Sequence, residues 1–232
     1  MSIPLFFAAT AQEIRSIATF PPKIGWMSCH FSPSGSGLTN WPRTLPPDSM
    51  LILDDRIPIT IHEPKVVASQ LTQVVEELKC SHVLLDWQRP VTRIANDTLD
   101  EIMLRLPCPV AVTDTYARDG RSAVFLPPVP PHIMPEIYLS PWKGREIWLE
   151  VALDGTTATV TPDGCQFSPV PYPNPTTPDH PSPELHCHYH ATVDSERIQF
   201  HLHRTREDIK NLLTDSEHYG VTLAVGLYQE LA

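Results

Sequence analysis

The fold is decided by the stretch EPKVVASQLTQVVEELKCSHVLLDW, residues 63–87, in which a predicted helix runs directly into a predicted strand. Apolar residues recur at helical spacing between Val67 and Leu78, and Pro64 suits a first helical turn, where its missing amide hydrogen is not needed. The segment SHVLLDW that follows is almost wholly apolar, which is typical of a strand buried on both faces of a parallel sheet. The stretch therefore predicts one unit of a parallel α/β fold.

The same alternation extends to both sides of this stretch. Towards the N-terminus, strands are predicted at Ile24–Phe31 and in SMLILDD, which ends at Asp55, and IPITIH is predicted to be extended as far as His62. Towards the C-terminus, a helix over Ile94–Arg105 leads to a third buried strand in PVAVTD. Alternating strands and helices indicate a parallel sheet, and 232 residues suit a single barrel domain.

The second half of the chain breaks this rhythm. SAVFLPPVPP is a short strand closed by prolines, and REIWLEVALDGTTATVTPDG predicts a hairpin that turns at Asp154 and Gly155. A Pro-rich surface loop is expected at about 162–184, followed by a second hairpin of ELHCHYHATV against RIQFHLH, a helix over Arg206–Tyr219 and a closing strand, VTLAVGLY. The prediction is a degenerate or incomplete (β/α) TIM-like barrel with two inserted β-hairpins, forming one domain over residues 1–232.

Composition limits the classes of partner. The formal net charge is −10 and no run of Lys or Arg interrupts it, so neither nucleic acid nor an anionic membrane is an expected partner. The opening MSIPLFFAATA lacks a basic start and is short for a signal peptide, so a first strand is expected there. Five cysteines without a CxxC spacing fit the reduced thiols of a cytoplasmic protein.

Several catalytic and cofactor motifs are missing from the sequence. It contains no GxGxxG, no Walker loop, no GxSxG and no HExxH, so no cofactor is expected. Cys80 and Cys108 each precede an apolar run, which indicates buried packing; a nucleophilic role is the alternative. The function must therefore be sought in other polar residues.

Acidic side chains follow three of the predicted strands. Asp54 and Asp55 end one strand, Asp86 ends the next, and Asp114 follows the third. Because ligands bind at the carboxyl ends of strands in α/β barrels, these groups are expected at one rim. Asp86 paired with Asp54 or Asp114 would supply the acid and base of a hydrolase, and such carboxylates also suit a hard metal ion. The alternative is that these aspartates cap turns and helices.

The segment SHVLLDWQRP, residues 81–90, resembles the active-site strand of the family 18 glycoside hydrolases, which include the chitinases. The pattern of that family is D-G-x-D-x-D-W-E, followed closely by an aromatic residue and Pro. The matching positions are Asp86, Trp87 and Pro90. The departures are Ser81 and Leu84 in place of the first two Asp residues, and Gln88 in place of the catalytic Glu.

The departure at Gln88 changes what the resemblance implies. In the family the Glu protonates the leaving oxygen while the acetamide of the substrate attacks, and a carboxamide cannot donate that proton as a carboxylic acid does. The resemblance therefore implies non-catalytic binding of a small glycan or polar ligand at the rim. The expected ligand-binding residues are Gln88, Asp55, Tyr116 and Trp26, with the two aromatic residues stacking on sugar rings or, alternatively, packing in the core.

A second group of polar residues is rich in histidine. The alternating segments HCHYH and FHLH place imidazoles on one face of the second predicted hairpin. The candidate metal ligands are His186, His188, His190, His201 and His203. Cross-strand neighbours lie close enough to share Zn²⁺, which would make the chain a structural or interaction protein with a metal-binding hairpin. The alternative is that these histidines only supply the polar face of a half-buried hairpin.

Overall fold

A computed structural model describes residues 3–117, 120–170, 179–195 and 197–232. The strands are β1 (Leu5–Ala9), β2 (Ile24–Phe31), β3 (Leu38–Thr39), β4 (Met50–Asp54), β5 (His82–Asp86), β6 (Val110–Thr113), β7 (Ala123–Leu126), β8 (Ile147–Val151), β9 (Gly155–Thr161), β10 (Gly164–Val170), β11 (His180–Ser182), β12 (Cys187–Val193), β13 (Ile198–His203) and β14 (Val221–Leu227). The helices are α1 (Ala11–Ser16), α2 (Pro64–Leu78), α3 (Arg93–Arg105), α4 (Pro135–Leu139), α5 (Arg206–Ser216) and α6 (Tyr228–Leu231).

Eight parallel strands form a closed barrel. Their order is β1, β2, β4, β5, β6, β7, β8 and β14, and β14 returns to pair with β1. The ring closes because β1 also pairs in parallel with β2, with Ala8 opposite Gly25. The predicted TIM-like class is therefore confirmed, and the barrel is complete in its strands.

The helices, in contrast, are unevenly distributed. Among the described residues, helices of ten residues or more follow only β4, β5 and β13, whereas β2 is followed by the short antiparallel strand β3. The predicted helices at Ile94–Arg105 and Arg206–Tyr219 are confirmed as α3 and α5, the latter continued by a 3-10 turn. The segment IPITIH is a 3-10 turn at Ile59–Ile61 and not an extended strand. Since β2 and β5 already pair with both edges of β4, no sheet edge is free to receive it.

The barrel strands separate two layers of apolar side chains. The barrel interior is filled by one cluster, which includes Phe6, Leu84, Phe125 and Trp148. A larger cluster lies outside the strands and includes residues of α2, α3 and α5. Successive residues of a strand point to opposite faces, so each buried strand contributes to both layers.

An antiparallel sheet of five strands is inserted between β8 and β14, in the order β10, β9, β13, β12 and β11. The hairpin predicted at Asp154 and Gly155 is wrong, because β8 stays in the barrel and β9 pairs with β10 and β13 instead. The predicted Pro-rich loop at 162–184 contains β10 and β11, while 171–178 lie outside the described residues. The second predicted hairpin is confirmed as β12 and β13.

Buried Arg204 joins the inserted sheet to the barrel. Its guanidinium donates hydrogen bonds to the carbonyl oxygens of His186, at 3.1 Å, and Leu185, at 3.2 Å. It also donates to the carbonyl of Val129, in the segment that leaves barrel strand β7. Because an unpaired buried guanidinium would be costly, these three carbonyls fix the sheet beside the mouth of the barrel.

All five cysteines are free thiols. Burial raises the pKa of Cys80 to about 12 and that of Cys108 to about 11, so both stay protonated at neutral pH. These two residues pack against the outer apolar cluster, which confirms packing over the nucleophilic alternative. Of the helices described, none has the length and apolar character needed to cross a membrane.

Candidate functional site

A cavity of about 480 Å³ opens at the carboxyl ends of the barrel strands. Its floor is apolar and is formed by Ile52, Leu84, Phe125 and Val225. Its polar wall is formed by Asp54, Asp55, Arg56, Asp86, Gln88, Arg89 and Glu150. An apolar floor with a few convergent polar groups is the usual form of a small-molecule site, and this end of the barrel is where such sites lie.

Strand alternation places Asp86 in the cavity. Leu84 and Asp86 face the barrel interior, whereas Leu85 and Trp87 pack in the outer layer. The Gln88 amide donates a 2.6 Å hydrogen bond from Nε2 to Oδ1 of Asp86. Burial raises the pKa of the Asp86 carboxyl, and nearby Asp54 adds to this effect, while the Gln88 hydrogen bond opposes it. Asp86 and Gln88 therefore form one polar unit at the cavity wall.

Asp55 holds the chain that carries Gln88. Its carboxylate is 3% exposed and accepts hydrogen bonds from the backbone amides of Gln88 and Arg89, each at 2.9 Å. The Arg89 side chain donates in return to the carbonyl oxygens of Asp55, at 2.8 Å, and Arg56, at 2.7 Å. Each of the two carboxylate oxygens therefore accepts a backbone hydrogen bond, which gives Asp55 a role in positioning Gln88. The ligand-binding role that the sequence analysis predicted for Asp55 stays a prediction.

Asp54 is paired with two cationic or titratable side chains. Its Oδ2 lies 2.9 Å from His30 Nδ1 and 2.7 Å from an Arg56 guanidinium nitrogen. Arg56 also donates its backbone amide to Asp54 Oδ1 at 3.1 Å. This arrangement leaves Asp54 poorly suited to act as the base in a pair with Asp86, and it brings a cation to the cavity wall.

Glu150 is a cavity residue that the sequence analysis missed. It lies on β8 and faces the cavity with Asp86. Burial raises its pKa to about 7, and the negative charges of Asp86, Asp154 and Glu230 contribute to the rise. The sequence does contain a signal for Glu150. In the apolar segment IWLEV it lies two residues after Trp148, so the two side chains share a strand face, and the large Trp148 side chain points into the barrel.

Three predicted site residues do not reach the cavity. Asp114 is exposed in a 3-10 turn, where Oδ1 accepts the backbone amide of Thr115 at 2.7 Å. Tyr116 is buried against Trp87, with ring centroids 5.3 Å apart. Trp26 is buried as well, and its Nε1 donates to the Asn40 carbonyl at 2.9 Å. The structure therefore agrees with turn capping for Asp114 and with core packing for Tyr116 and Trp26.

The histidine-rich face is only partly assembled as expected. His188 lies opposite His203, and His190 opposite His201, whose rings stack 4.7 Å apart. His186 precedes the strand in a left-handed conformation, with φ of 49°, so it is not on this face. The hairpin therefore aligns four of the five imidazoles.

These imidazoles meet carboxylates from outside the hairpin, which the sequence analysis did not foresee. Asp179 lies 3.3 Å from both His190 and His203, and Asp208 lies 2.9 Å from His188. Over residues 3–117, 120–170, 179–195 and 197–232, no group of three or more His, Cys, Asp or Glu side chains is arranged to hold a metal ion. The geometry thus offers imidazole–carboxylate pairs and no support for the metal site.

A closed eight-stranded parallel barrel, with a polar cavity at its carboxyl mouth and an antiparallel sheet inserted before its last strand, defines a TIM-like (β/α) barrel. No protein-family model matches the chain, and no curated protein matches it. Solved structures do match, and they confirm the resemblance to family 18 at the level of the fold.

Three of these solved structures illustrate the likeness. The spore cortex-lytic enzyme SleL of Bacillus cereus aligns with a TM-score of 0.63 at 12% identity, covering 100% of this chain and 72% of that one. A family 18 N-acetylglucosaminidase of Paenibacillus barengoltzii aligns at 0.62 and 10% identity, covering 97% and 94%. A class V chitinase of Nicotiana tobaccum, in complex with NAG4, aligns at 0.61 and 10% identity, covering 97% and 93%.

Proposed function

We propose that this protein binds a small glycan containing N-acetylglucosamine in the cavity at the mouth of the barrel. The observation that carries the proposal is the cavity of about 480 Å³, whose floor is apolar and whose wall is polar. Sugar rings present apolar faces and polar edges, so they match such a lining. The chitinase of the same fold, solved with NAG4, supports the choice of glycan.

Binding without hydrolysis by the usual route of the family follows from Gln88. Its amide donates to Asp86 where a carboxylic acid would hold a transferable proton. Asp55 fixes the backbone of Gln88, so the side chain is held at the wall and presents its carbonyl oxygen as an acceptor. The polar wall then orients a ligand through hydrogen bonds.

Calorimetry with the N-acetylglucosamine tetramer tests this proposal. Wild-type protein is expected to bind the tetramer but not a glucose tetramer, and Asp86→Ala is expected to weaken binding about tenfold or more by removing a charged acceptor. Asp114→Ala is the matched control, because that carboxylate is exposed and outside the cavity lining. Absence of binding by the wild type, or equal loss in both variants, would overturn the proposal.

A second candidate function is a hydrolase that uses Glu150 in place of the lost acid. The observation that favours it is that burial and neighbouring charges hold the pKa of Glu150 near 7, the range suited to a general acid. Asp86, on the same cavity wall, would be the accompanying carboxylate. Release of sugar from the tetramer by wild-type protein, abolished in Glu150→Gln, would establish this candidate, and no release at any pH would exclude it.

A further inference from the structure

A second depression, here called the Trp41 groove, adjoins the cavity. It has a volume of about 720 Å³ and lies between α1 and the segment 40–44. Its lining residues that matter here are Arg15, Trp26, His30, Trp41 and Arg43. His30 joins the two sites, because it lines the groove while its Nδ1 lies 2.9 Å from Oδ2 of the cavity residue Asp54.

The backbone turns at Asn40 in a way that presents Trp41 to solvent. Asn40 has a φ of 61°, in the left-handed region that non-glycine residues seldom occupy. Its carbonyl oxygen accepts the 2.9 Å hydrogen bond from buried Trp26. Trp41 follows at once and is 41% exposed, an unusual exposure for so large an apolar side chain.

The charge of the groove is opposite to that of the whole chain. The formal net charge is −10, yet the groove carries the guanidinium groups of Arg15 and Arg43. None of the described residues that line it is acidic. The Arg15 Nε donates to the Ala11 carbonyl at 3.0 Å, which fixes that guanidinium on the α1 side. An exposed indole beside two guanidinium groups suits a sugar ring that carries an anionic group.

We infer that the Trp41 groove is a subsite for a negatively charged sugar, so that the ligand is an acidic oligosaccharide extending from the cavity over Trp41. The inference rests on the proposed function, because it takes the cavity to hold the neutral part of the same ligand. The sugar ring lies on Trp41, and its carboxylate or phosphate pairs with Arg43 and Arg15. The neutral tetramer would lack these charge-assisted hydrogen bonds.

Calorimetry with three related ligands tests the inference. The first is a tetrasaccharide of alternating N-acetylglucosamine and N-acetylmuramic acid, the second is the same compound with its carboxyl groups reduced to alcohols, and the third is the neutral N-acetylglucosamine tetramer. The acidic compound is expected to bind about tenfold more tightly than the other two, with a preference that falls as salt is added. A phosphorylated tetramer separates preference for phosphate from preference for carboxylate.

Variants separate the groove from the cavity. Arg43→Gln is expected to remove the preference for the acidic ligand and to leave binding of the neutral tetramer unchanged. The matched control is Arg93→Gln, since the Arg93 side chain is 94% exposed on α3. Equal affinity for acidic and reduced ligands, or a preference that survives Arg43→Gln, would overturn the inference while the proposed function stands. A third outcome is that the preference for the acidic ligand is lost in Arg43→Gln while Asp86→Ala changes no affinity. This outcome would support the Trp41 groove as a binding site and would overturn the proposal that the cavity binds the glycan.

Discussion

The side-chain amide of Gln88 donates a 2.6 Å hydrogen bond to Oδ1 of Asp86 at the cavity wall. In the family that this strand resembles, a Glu occupies the position of Gln88. The two side chains still interact through a hydrogen bond, but Gln88 has no acidic proton that it could transfer, as a Glu would have. Restoring an acid at position 88 is therefore a direct test of what the substitution removed.

Gln88→Glu is expected to raise hydrolysis of the N-acetylglucosamine tetramer above the wild-type rate by on the order of a hundredfold, since general acids typically contribute that much. The new carboxyl would lie within hydrogen-bond distance of Asp86, so one of the two should hold a proton at neutral pH. Product release followed by mass spectrometry is the measurement. Gln73→Glu makes the same chemical change on the exposed face of α2 and should have no effect. An inactive but folded Gln88→Glu protein would contradict this prediction.

Glu150 predicts a pH dependence of stability. Its pKa is raised in the folded state, from 4.5 to about 7, so the folded state binds its proton more tightly than the unfolded state does. The free energy of unfolding should therefore fall as the pH rises through this window, by on the order of 2 kcal/mol from this group. Glu150→Gln should lose that part of the pH dependence.

Urea unfolding at about pH 5 and about pH 8 measures the effect, because these values lie on either side of most of the titration. Glu76→Gln, on an exposed position of α2, is the control and should keep the wild-type pH dependence. Parallel pH profiles for wild type and Glu150→Gln would show that Glu150 titrates in the folded protein as it does in the unfolded chain.

Asp55→Asn should destabilise the protein by about 2 kcal/mol or more. The new side-chain amide nitrogen is a donor and would face one of the two backbone N–H donors, which would then have no acceptor. The affected donors are the amides of Gln88 and Arg89, so ligand binding should fall together with stability. Denaturant unfolding and calorimetry are the measurements. Asp97→Asn is the control, because that carboxylate is half-exposed and 3.7 Å from Arg93. Wild-type stability in Asp55→Asn would refute the positioning role of Asp55.

Asp208 predicts the opposite dependence on pH. Burial raises the pKa of its carboxyl, but hydrogen bonds from Thr205 at the start of α5 and from His188 outweigh it, so the pKa lies below its usual value. The stabilisation is therefore present at neutral pH and is lost as the pH falls through the folded pKa. Asp208→Asn should cost about 1 kcal/mol at neutral pH, the worth of a helix cap, and less at low pH. Thermal unfolding of the wild type and of Asp208→Asn, at neutral pH and at low pH, measures this cost. A loss of stability that is the same at both pH values would contradict the prediction.

The local pattern of apolar residues was enough to predict α2 and β5, the two elements within residues 63–87. The apolar spacing of α2 and the continuous apolar run of β5 depend on neighbours a few residues away. The helix predicted over 63–79 and the strand predicted over 81–87 therefore agree closely with the observed elements. The placement of Asp86 in the cavity agrees with alternation along β5, whereas Gln88 lies two residues beyond the end of that strand. The hairpin expected at Asp154 and Gly155 failed because sequence shows a turn signal but not which strand will be the partner.

The sequence alone predicts the parallel barrel class, the position of Asp86 at the end of β5, and the presence of Gln88 in place of an acid. The folded chain is needed to see that β1 and β2 close the ring and that Glu150 shares the cavity with Asp86. It also shows that the Asp55 carboxylate holds the backbone of Gln88. Distance along the chain explains this difference: periodicity reports contacts within one element, whereas the cavity is built by side chains from strands as far apart in sequence as β1, with Ala8, and β14, with Val225.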